Sequence, residues 1–218
     1  MRTKLIILFI ALLSLSVSGV YAGDTDGYRI EVTNLTRGQP ITPPVIALHK
    51  KTFQLFSLGE PASAGLGALA KDGVTNTLLA ELNADQDVVG TAVGGGLILP
   101  GETAFIEFTS DDDVEVSLAA MLARTNDAFI AARNIRLKKI EDKDSKSILL
   151  TVYDAGAEEN NEQCGFIPAP PCNSPHVDSL TAEGFVHPHP GVYGIAELLP
   201  VRDAFAPVGA KITIKKIN

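Results

Sequence analysis

Apolar and polar side chains alternate along several separate stretches of this chain, and this two-residue period limits its fold more than any other feature. In the first stretch, Tyr28, Ile30 and Val32 alternate with Arg29 and Glu31. The pattern returns at 103–109, 114–118, 147–153 and 212–217. Successive side chains of a strand point to opposite faces, so this period indicates antiparallel strands with one face buried and the other in water.

Turn-forming residues separate these strands, in clusters at 37–44, 94–101 and 111–113. Short strands joined in this way predict an all-β fold, an antiparallel β-sandwich, and not a βαβ sheet. One segment departs from the pattern, because Leu78, Leu79 and Leu82 recur at helical spacing after Val74. The sequence therefore predicts a short helical insertion, and the Ala- and Gly-rich segment 62–70 is either a second helical turn or a packed loop.

The first residues have the features of an export signal. Arg2 and Lys4 precede a stretch rich in Leu, Ile and Ala that runs to Val20, and small residues before Gly23 suit a signal peptidase. We expect a signal peptide at 1–22 with cleavage after Ala22, and one mature domain at 23–218. A membrane anchor fits less well, because the apolar run is shorter than the roughly 20 residues that a span needs. The mature protein is therefore expected to be secreted or periplasmic, without a membrane span.

Composition restricts the partners of the mature chain. The net charge is −8, and removal of the leader takes away two basic residues and no acidic ones. An acidic protein of this kind has no broad basic surface for nucleic acid. The two cysteines, Cys164 and Cys172, are predicted to form a disulfide that fixes one Pro-rich loop, because the protein is exported and the spacing is not Cys-x-x-Cys.

Two short motifs stand where strands are predicted to end. The first is Thr-Asn-Asp-Ala-Phe at 125–129, and the second is Tyr-Asp-Ala-Gly-Ala-Glu at 153–158. Together they resemble the spondin domain, the N-terminal module of F-spondin and mindin, which also occurs in bacterial proteins. The resemblance extends over nearly the whole mature chain. It implies a C2-like β-sandwich that binds a divalent cation, calcium, through Asp127, Asp154 and Glu158.

The residues themselves are compatible with this site. Calcium takes six to eight oxygen ligands, and loops at neighbouring strand ends can bring such oxygens together. Asp154 and Glu158 flank Gly156, which permits a tight bend, and Asp127 would come from another loop. The alternative is that these aspartates are turn residues that accept hydrogen bonds from nearby backbone N–H groups. The chain also departs from the animal proteins, since Ala128 stands where they have Trp and Glu158 where they have Asp.

A His-Pro-His segment offers a second type of metal site. If it is extended, His187 and His189 lie on the same face and could bind Zn²⁺ or Cu²⁺ with a third ligand such as His176. The alternative is a pair of surface histidines in a Pro-rich segment.

Enzyme signatures such as Gly-x-Ser-x-Gly and His-Glu-x-x-His do not occur in the sequence. We therefore expect a calcium-binding recognition or adhesion module and not an enzyme, with a matrix component, a glycan or a cell-surface protein as its ligand. The alternative function is a periplasmic copper- or zinc-handling protein or oxidoreductase that uses the His-Pro-His segment.

Overall fold

The computed structural model describes residues 26–110, 113–140, 144–174 and 177–217. Its strands are β1 (Asp26–Asn34), β2 (Val45–His49), β3 (Val88–Val93), β4 (Thr103–Ser110), β5 (Glu115–Met121), β6 (Ala128–Arg136), β7 (Ser145–Asp154), β8 (His187–Pro188) and β9 (Val208–Lys216). Its α-helices are α1 (Ala64–Asp72), α2 (Thr75–Ala84) and α3 (Pro200–Asp203). The predicted signal peptide and His176 lie outside the described residues.

All strand pairs are antiparallel, in the order β3-β2-β5-β6-β7-β9-β1-β4, with β8 added beside β7. The end strands β3 and β4 contact each other, so the sheet is nearly closed. Strands β6 and β7 pair over a short stretch, Ala128–Ala131 against Thr151–Asp154. The predicted antiparallel β-sandwich with a helical insertion is confirmed.

The main core lies inside the sandwich and follows the two-residue period. Tyr28, Ile30 and Val32 on β1 are fully buried, and Ile30 and Val32 pair directly with Ile214 and Ile212 on β9. A fully buried side chain of this size contributes about 1.5–3 kcal/mol relative to an exposed one. The alternation in β1 therefore reports which of its faces is buried.

A second core lies under the helices, on the outer face of β2, β5 and β6. Leu66 and Leu69 of α1 and Leu78 of α2 are buried in one cluster with Phe129. The two helices approach closely at Gly65, where a Cβ would lie 2.6 Å from the Cα of Leu78. Segment 62–70 thus contributes to a true helix, and the insertion consists of two helices.

A disulfide joins Cys164 to Cys172, as predicted. The loop that it closes contacts the turn before β6, because the Arg124 guanidinium donates a 2.6 Å hydrogen bond to the carbonyl of Pro170. Across the described segments, no helix has the length and apolarity needed to cross a lipid bilayer.

Candidate metal centre

The start of β6 and the end of β7 bring the two predicted aspartates together. Ala128 pairs with Asp154 across the antiparallel ladder, so Asp127 lies one residue beyond this pair. The main-chain carbonyl of Asp127 accepts a 3.2 Å hydrogen bond from Ala155 N–H. The turn before β6 is fixed by Thr125, whose Oγ1 accepts a 3.0 Å hydrogen bond from Ala128 N–H. Both motifs are therefore strand-end turns at the same edge of the sheet.

Asp127 is fully buried, and its two carboxylate oxygens have different surroundings. Oδ2 accepts hydrogen bonds from the N–H groups of Ala157 (2.6 Å) and Glu158 (3.0 Å). Oδ1 has no hydrogen-bond partner among the described residues. Burial, and next the negative charge of Asp154, raise the pKa of Asp127 to about 8.

Asp154 is also fully buried, and it forms the bend that follows β7. Its Oδ1 accepts a 2.6 Å hydrogen bond from Gly156 N–H, and its Oδ2 accepts one from the side-chain amide of Asn160. Gly156 has a φ of 62°, the left-handed conformation that favours glycine. Burial raises the pKa of Asp154 despite these hydrogen bonds.

The carboxylate of Glu158 has other neighbours. Its Oε1 accepts a 3.2 Å hydrogen bond from Ser179 N–H, and the charges that most affect it belong to Lys71, Asp72 and Asp178. Burial raises the pKa of Glu158 to about 7. The structure thus brings Asp127 and Asp154 together and directs the Glu158 side chain toward α1, and its role as a third ligand stays a prediction.

A glutamate that the sequence analysis missed faces the two aspartates. Glu183 Oε1 accepts hydrogen bonds from both the backbone N–H (3.3 Å) and the side-chain amide (3.1 Å) of Asn160. That amide also donates to Asp154, so Asn160 links the two carboxylates. Glu183 Oε2 is buried and has no partner within the described segments. In the sequence, only its place four residues before His187 could have drawn attention to it.

Both histidines face Asp154, whereas the sequence predicted only that they share one face and form a site separate from the calcium site. Strand β8 pairs His187 with Asp154, and His187 Nε2 lies 3.7 Å from Asp154 Oδ1. His189 Nε2 lies 3.9 Å from Asp154 Oδ2, and the His189 side chain is 3% exposed. Burial lowers the pKa of His189 to about 3, so this ring is neutral at physiological pH.

The two imidazoles carry their protons on different nitrogens. His187 Nδ1 lies 3.0 Å from the carbonyl of Pro188, which can only accept, so Nδ1 carries the proton and Nε2 has the lone pair. His189 Nδ1 accepts a 2.9 Å hydrogen bond from Gly191 N–H, so its proton is on Nε2. His187 is therefore suited to bind a cation through Nε2, whereas His189 is a hydrogen-bond donor.

The arrangement has the chemistry of a divalent-cation site. Asp154, Glu183 and His187 each offer one ligand atom, and these atoms lie within 4.8 Å of one another. Buried polar atoms in folded proteins almost always have a partner. Four buried atoms have none among the residues described: Asp127 Oδ1, Glu158 Oε2, Glu183 Oε2 and His189 Nε2. A bound cation would supply a partner for oxygens of this kind. The donor set therefore fits a metal ion.

Comparison with known families agrees with the two motifs. A family model described as Spondin_N matches residues 41–171, more than half of the chain, and the match includes Asp127, Asp154 and Glu158. Glu183 and His187 lie outside the matched residues. The search of curated proteins found no match. The resemblance seen in the sequence is confirmed, and the chain belongs to the spondin N-terminal domain family.

Proposed function

We propose that this chain is an exported, calcium-dependent recognition module and not an enzyme. One observation carries the proposal: the buried carboxylates of Asp127 and Asp154 and the half-buried carboxylate of Glu183 converge from three different segments, and Asp127 and Glu183 each keep a buried oxygen with no partner in the described part of the chain. Such carboxylates repel each other unless a proton or a cation intervenes. A hard cation would connect the three segments at one edge of the sheet.

Calcium is the proposed ion because carboxylate and carbonyl oxygens are its usual ligands. Asp127 and Asp154 would hold it, and Glu158 or Glu183 would complete the carboxylate set. The family and the disulfide support an extracellular-type environment, where calcium at millimolar concentration can fill sites of modest affinity.

The recognition surface is proposed to be the pocket beside this site. A pocket of about 950 Å³ lies between α1 and the loop after β7, and Gly156 and Gly184 form part of its wall. An ion pair between Lys71 and Asp178 stands at the same pocket. Ordering the loop that contains Gly156 would therefore shape the pocket. A glycan, a matrix component or a cell-surface protein is the proposed partner.

The second candidate is the copper- or zinc-handling protein that uses both histidines. The observation in its favour is that both rings face Asp154. The proton on His189 Nε2 counts against it, because that nitrogen cannot bind a metal until the proton leaves. A site with two imidazole ligands is therefore not the arrangement found.

Thermal unfolding with calcium or with EDTA tests the proposal. A ligand that binds the native state at about 100 times its Kd adds about 2.7 kcal/mol, which corresponds to roughly 5–10 °C in Tm for a chain of this size. We expect Asp154→Asn to abolish this shift while keeping the turn, since an amide oxygen can still accept from Gly156 N–H. Glu159→Gln is the matched control, because Glu159 is an exposed carboxylate on the same loop. Equal Tm values in calcium and EDTA for the unaltered protein would contradict the proposal.

A further inference from the structure

We propose that Asp154, Glu183 and His187 form a binding site for a zinc-class divalent ion, and that this ion competes with calcium for the carboxylate of Asp154. The zinc site stands on its own geometry, whereas the competition rests on the proposed calcium-dependent function. Glu183 and His187 lie beyond the residues that match the family. The family match therefore does not by itself assign these two residues to a metal site.

Strand pairing places the three side chains together. Asp154 is the last residue of β7 and pairs directly with His187 of β8. Directly opposite residues of an antiparallel pair project to the same face of the sheet. Glu183 reaches the pair from the loop before β8, and its Oε1 is anchored by Asn160. One ligand atom from each residue then falls within 4.8 Å of the others.

The hydrogen bond from His187 Nδ1 to Pro188 gives the ring the orientation that metal binding requires. Metal-bound histidines usually donate their second ring N–H to a carbonyl or carboxylate, which fixes the tautomer and aims the other nitrogen at the ion. His187 has this arrangement through Pro188, and its Nε2 faces Asp154 Oδ1 at 3.7 Å. Its side chain is 23% exposed, so an ion can reach it from solvent.

A second observation points to the same place. His189 Nε2 is buried, carries a proton, and has no hydrogen-bond partner among the residues of the described ranges. It faces Asp154 Oδ2 at 3.9 Å, just beyond hydrogen-bonding distance. A cation at Asp154 keeps that carboxylate ionised and makes it a strong acceptor for this donor. His189 would then be a positioning residue, because its Nε2–H would hold the carboxylate of Asp154 in place.

The donor types select the class of ion. Calcium and magnesium bind oxygen ligands, whereas imidazole nitrogen favours zinc and other late first-row ions. Two carboxylates and one imidazole make three protein ligands, and the fourth position of a tetrahedral zinc ion is then open to water. Because Asp154 belongs to both donor sets, zinc and calcium compete for its carboxylate, and each ion lowers the affinity for the other.

Titration of the metal-free mature protein with Co²⁺ tests the site, because Co²⁺ substitutes for Zn²⁺ and absorbs in the visible range. We expect one ion per chain with the strong bands of a low-coordinate site, displaced by Zn²⁺. We expect His187→Ala to weaken Zn²⁺ affinity at least about 100-fold. The loss of a residue that only hydrogen-bonds to a ligand typically weakens metal affinity roughly 10–100-fold. Glu183→Gln should weaken it as well, and Glu159→Gln should leave it unchanged.

The outcomes separate this inference from the function on which part of it rests. Unchanged Zn²⁺ affinity in His187→Ala, or a calcium-dependent Tm shift in a protein that binds no Zn²⁺, overturns the zinc site and leaves the calcium proposal standing. A Zn²⁺ affinity that saturating calcium does not lower overturns the claim that the two ions compete for Asp154. A protein that binds neither ion overturns both proposals.

Discussion

Asp127 combines a structural role and a proposed ion-binding role in one carboxylate. Its Oδ2 already holds the loop after β7 through the N–H groups of Ala157 and Glu158. Its Oδ1 has no partner in the described residues. The two roles can be separated, because a neutral amide could keep the first and would remove the charge that the second needs.

We expect Asp127→Ala and Asp127→Asn to behave differently. The alanine variant leaves two buried N–H groups without an acceptor, and the unfolding free energy in EDTA should fall by roughly 2–4 kcal/mol. The asparagine variant should stay within about 1 kcal/mol of the unaltered protein, since its Oδ1 can accept from Ala157 and Glu158. Both variants should lose the calcium-dependent gain. Urea unfolding in EDTA and in calcium measures these differences, and an asparagine variant that still responds to calcium would remove Asp127 from the site.

The raised carboxyl pKa values imply an unusual pH dependence without metal. Between the ordinary pKa of 3.8 and the raised value of about 8, folded Asp127 keeps a proton that the unfolded chain has lost. The unfolded state therefore binds fewer protons, and the unfolding free energy falls as pH rises through this range. Glu158, with a pKa raised from 4.5 to about 7, acts in the same direction and less strongly because its pKa shift is smaller. The slope for each group is at most about 1.4 kcal/mol per pH unit.

Urea unfolding in EDTA from about pH 5 to about pH 8 should show this decline. Saturating calcium should flatten it, because the ion replaces the protons and binds more tightly as they leave. A free energy of unfolding that rises with pH in EDTA would show that these carboxyl groups are not held in the protonated form.

Sequence reasoning found some of these residues and not others, for physical reasons. Asp127 and Asp154 were found because each belongs to a local strand-end motif. The direction of the Glu158 side chain depends on Ser179 and Lys71, which are distant in sequence. Glu183 joins the cluster only through Asn160, a contact with no local signal.

At the scale of elements, a strand could be predicted where its sequence alternates between apolar and polar residues, and not where the alternation is absent. Strand β1 alternates along its length, and its pattern predicted it. Strand β2 is buried at every position, because α1 and α2 cover the face that would otherwise meet water. Its first four residues, 45–48, are all apolar, and such a run does not by itself distinguish a strand from a buried helix.

The bend after β7 should not tolerate a side chain at Gly156. A Cβ there would lie 2.3 Å from the carbonyl oxygen of Phe185 and 2.5 Å from its nitrogen, and the φ of 62° is unfavourable for alanine. We expect Gly156→Ala to lower the unfolding free energy by more than about 2 kcal/mol and to weaken cation binding, since the bend carries Asp154. Gly165→Ala is the control, because a Cβ there meets nothing within 4 Å. Equal stability of the two variants would refute the argument from this close contact.

The disulfide between Cys164 and Cys172 should contribute to stability without affecting cation binding. Removal of the Cys164–Cys172 link by a double serine substitution is expected to cost about 2–3 kcal/mol for so short a loop. The loop contacts the turn before β6 through Arg124, but none of the proposed ligands lies within it. We therefore expect a lower Tm with the calcium-dependent shift retained. Loss of that shift would mean that the loop helps to hold the metal centre.

At the scale of the whole molecule, the fold gathers some of the chain's many acidic side chains at one place. The net charge is −8, yet the acidic side chains that converge at the end of β7 are buried and not spread over the surface. The cost of that burial is offset when a proton or a bound cation neutralises these carboxylates. A calcium-rich extracellular environment satisfies this condition, and it is also where a disulfide persists.

Export is the remaining condition, and it can be tested on the full chain. The leader predicted at 1–22 should direct the protein out of the cytoplasm, so intact-mass analysis of the exported fraction should give a chain that begins at Gly23 and lacks two thiol hydrogens because of the disulfide. Replacing Leu8 and Leu12 in the apolar stretch with Arg should retain the protein inside the cell with Met1 present and both thiols reduced, since a signal peptide needs an uninterrupted apolar segment. The retained protein should then lack the stabilisation that the disulfide gives. Recovery of an uncleaved chain from the exported fraction would place the cleavage site, and with it the start of the mature domain, elsewhere.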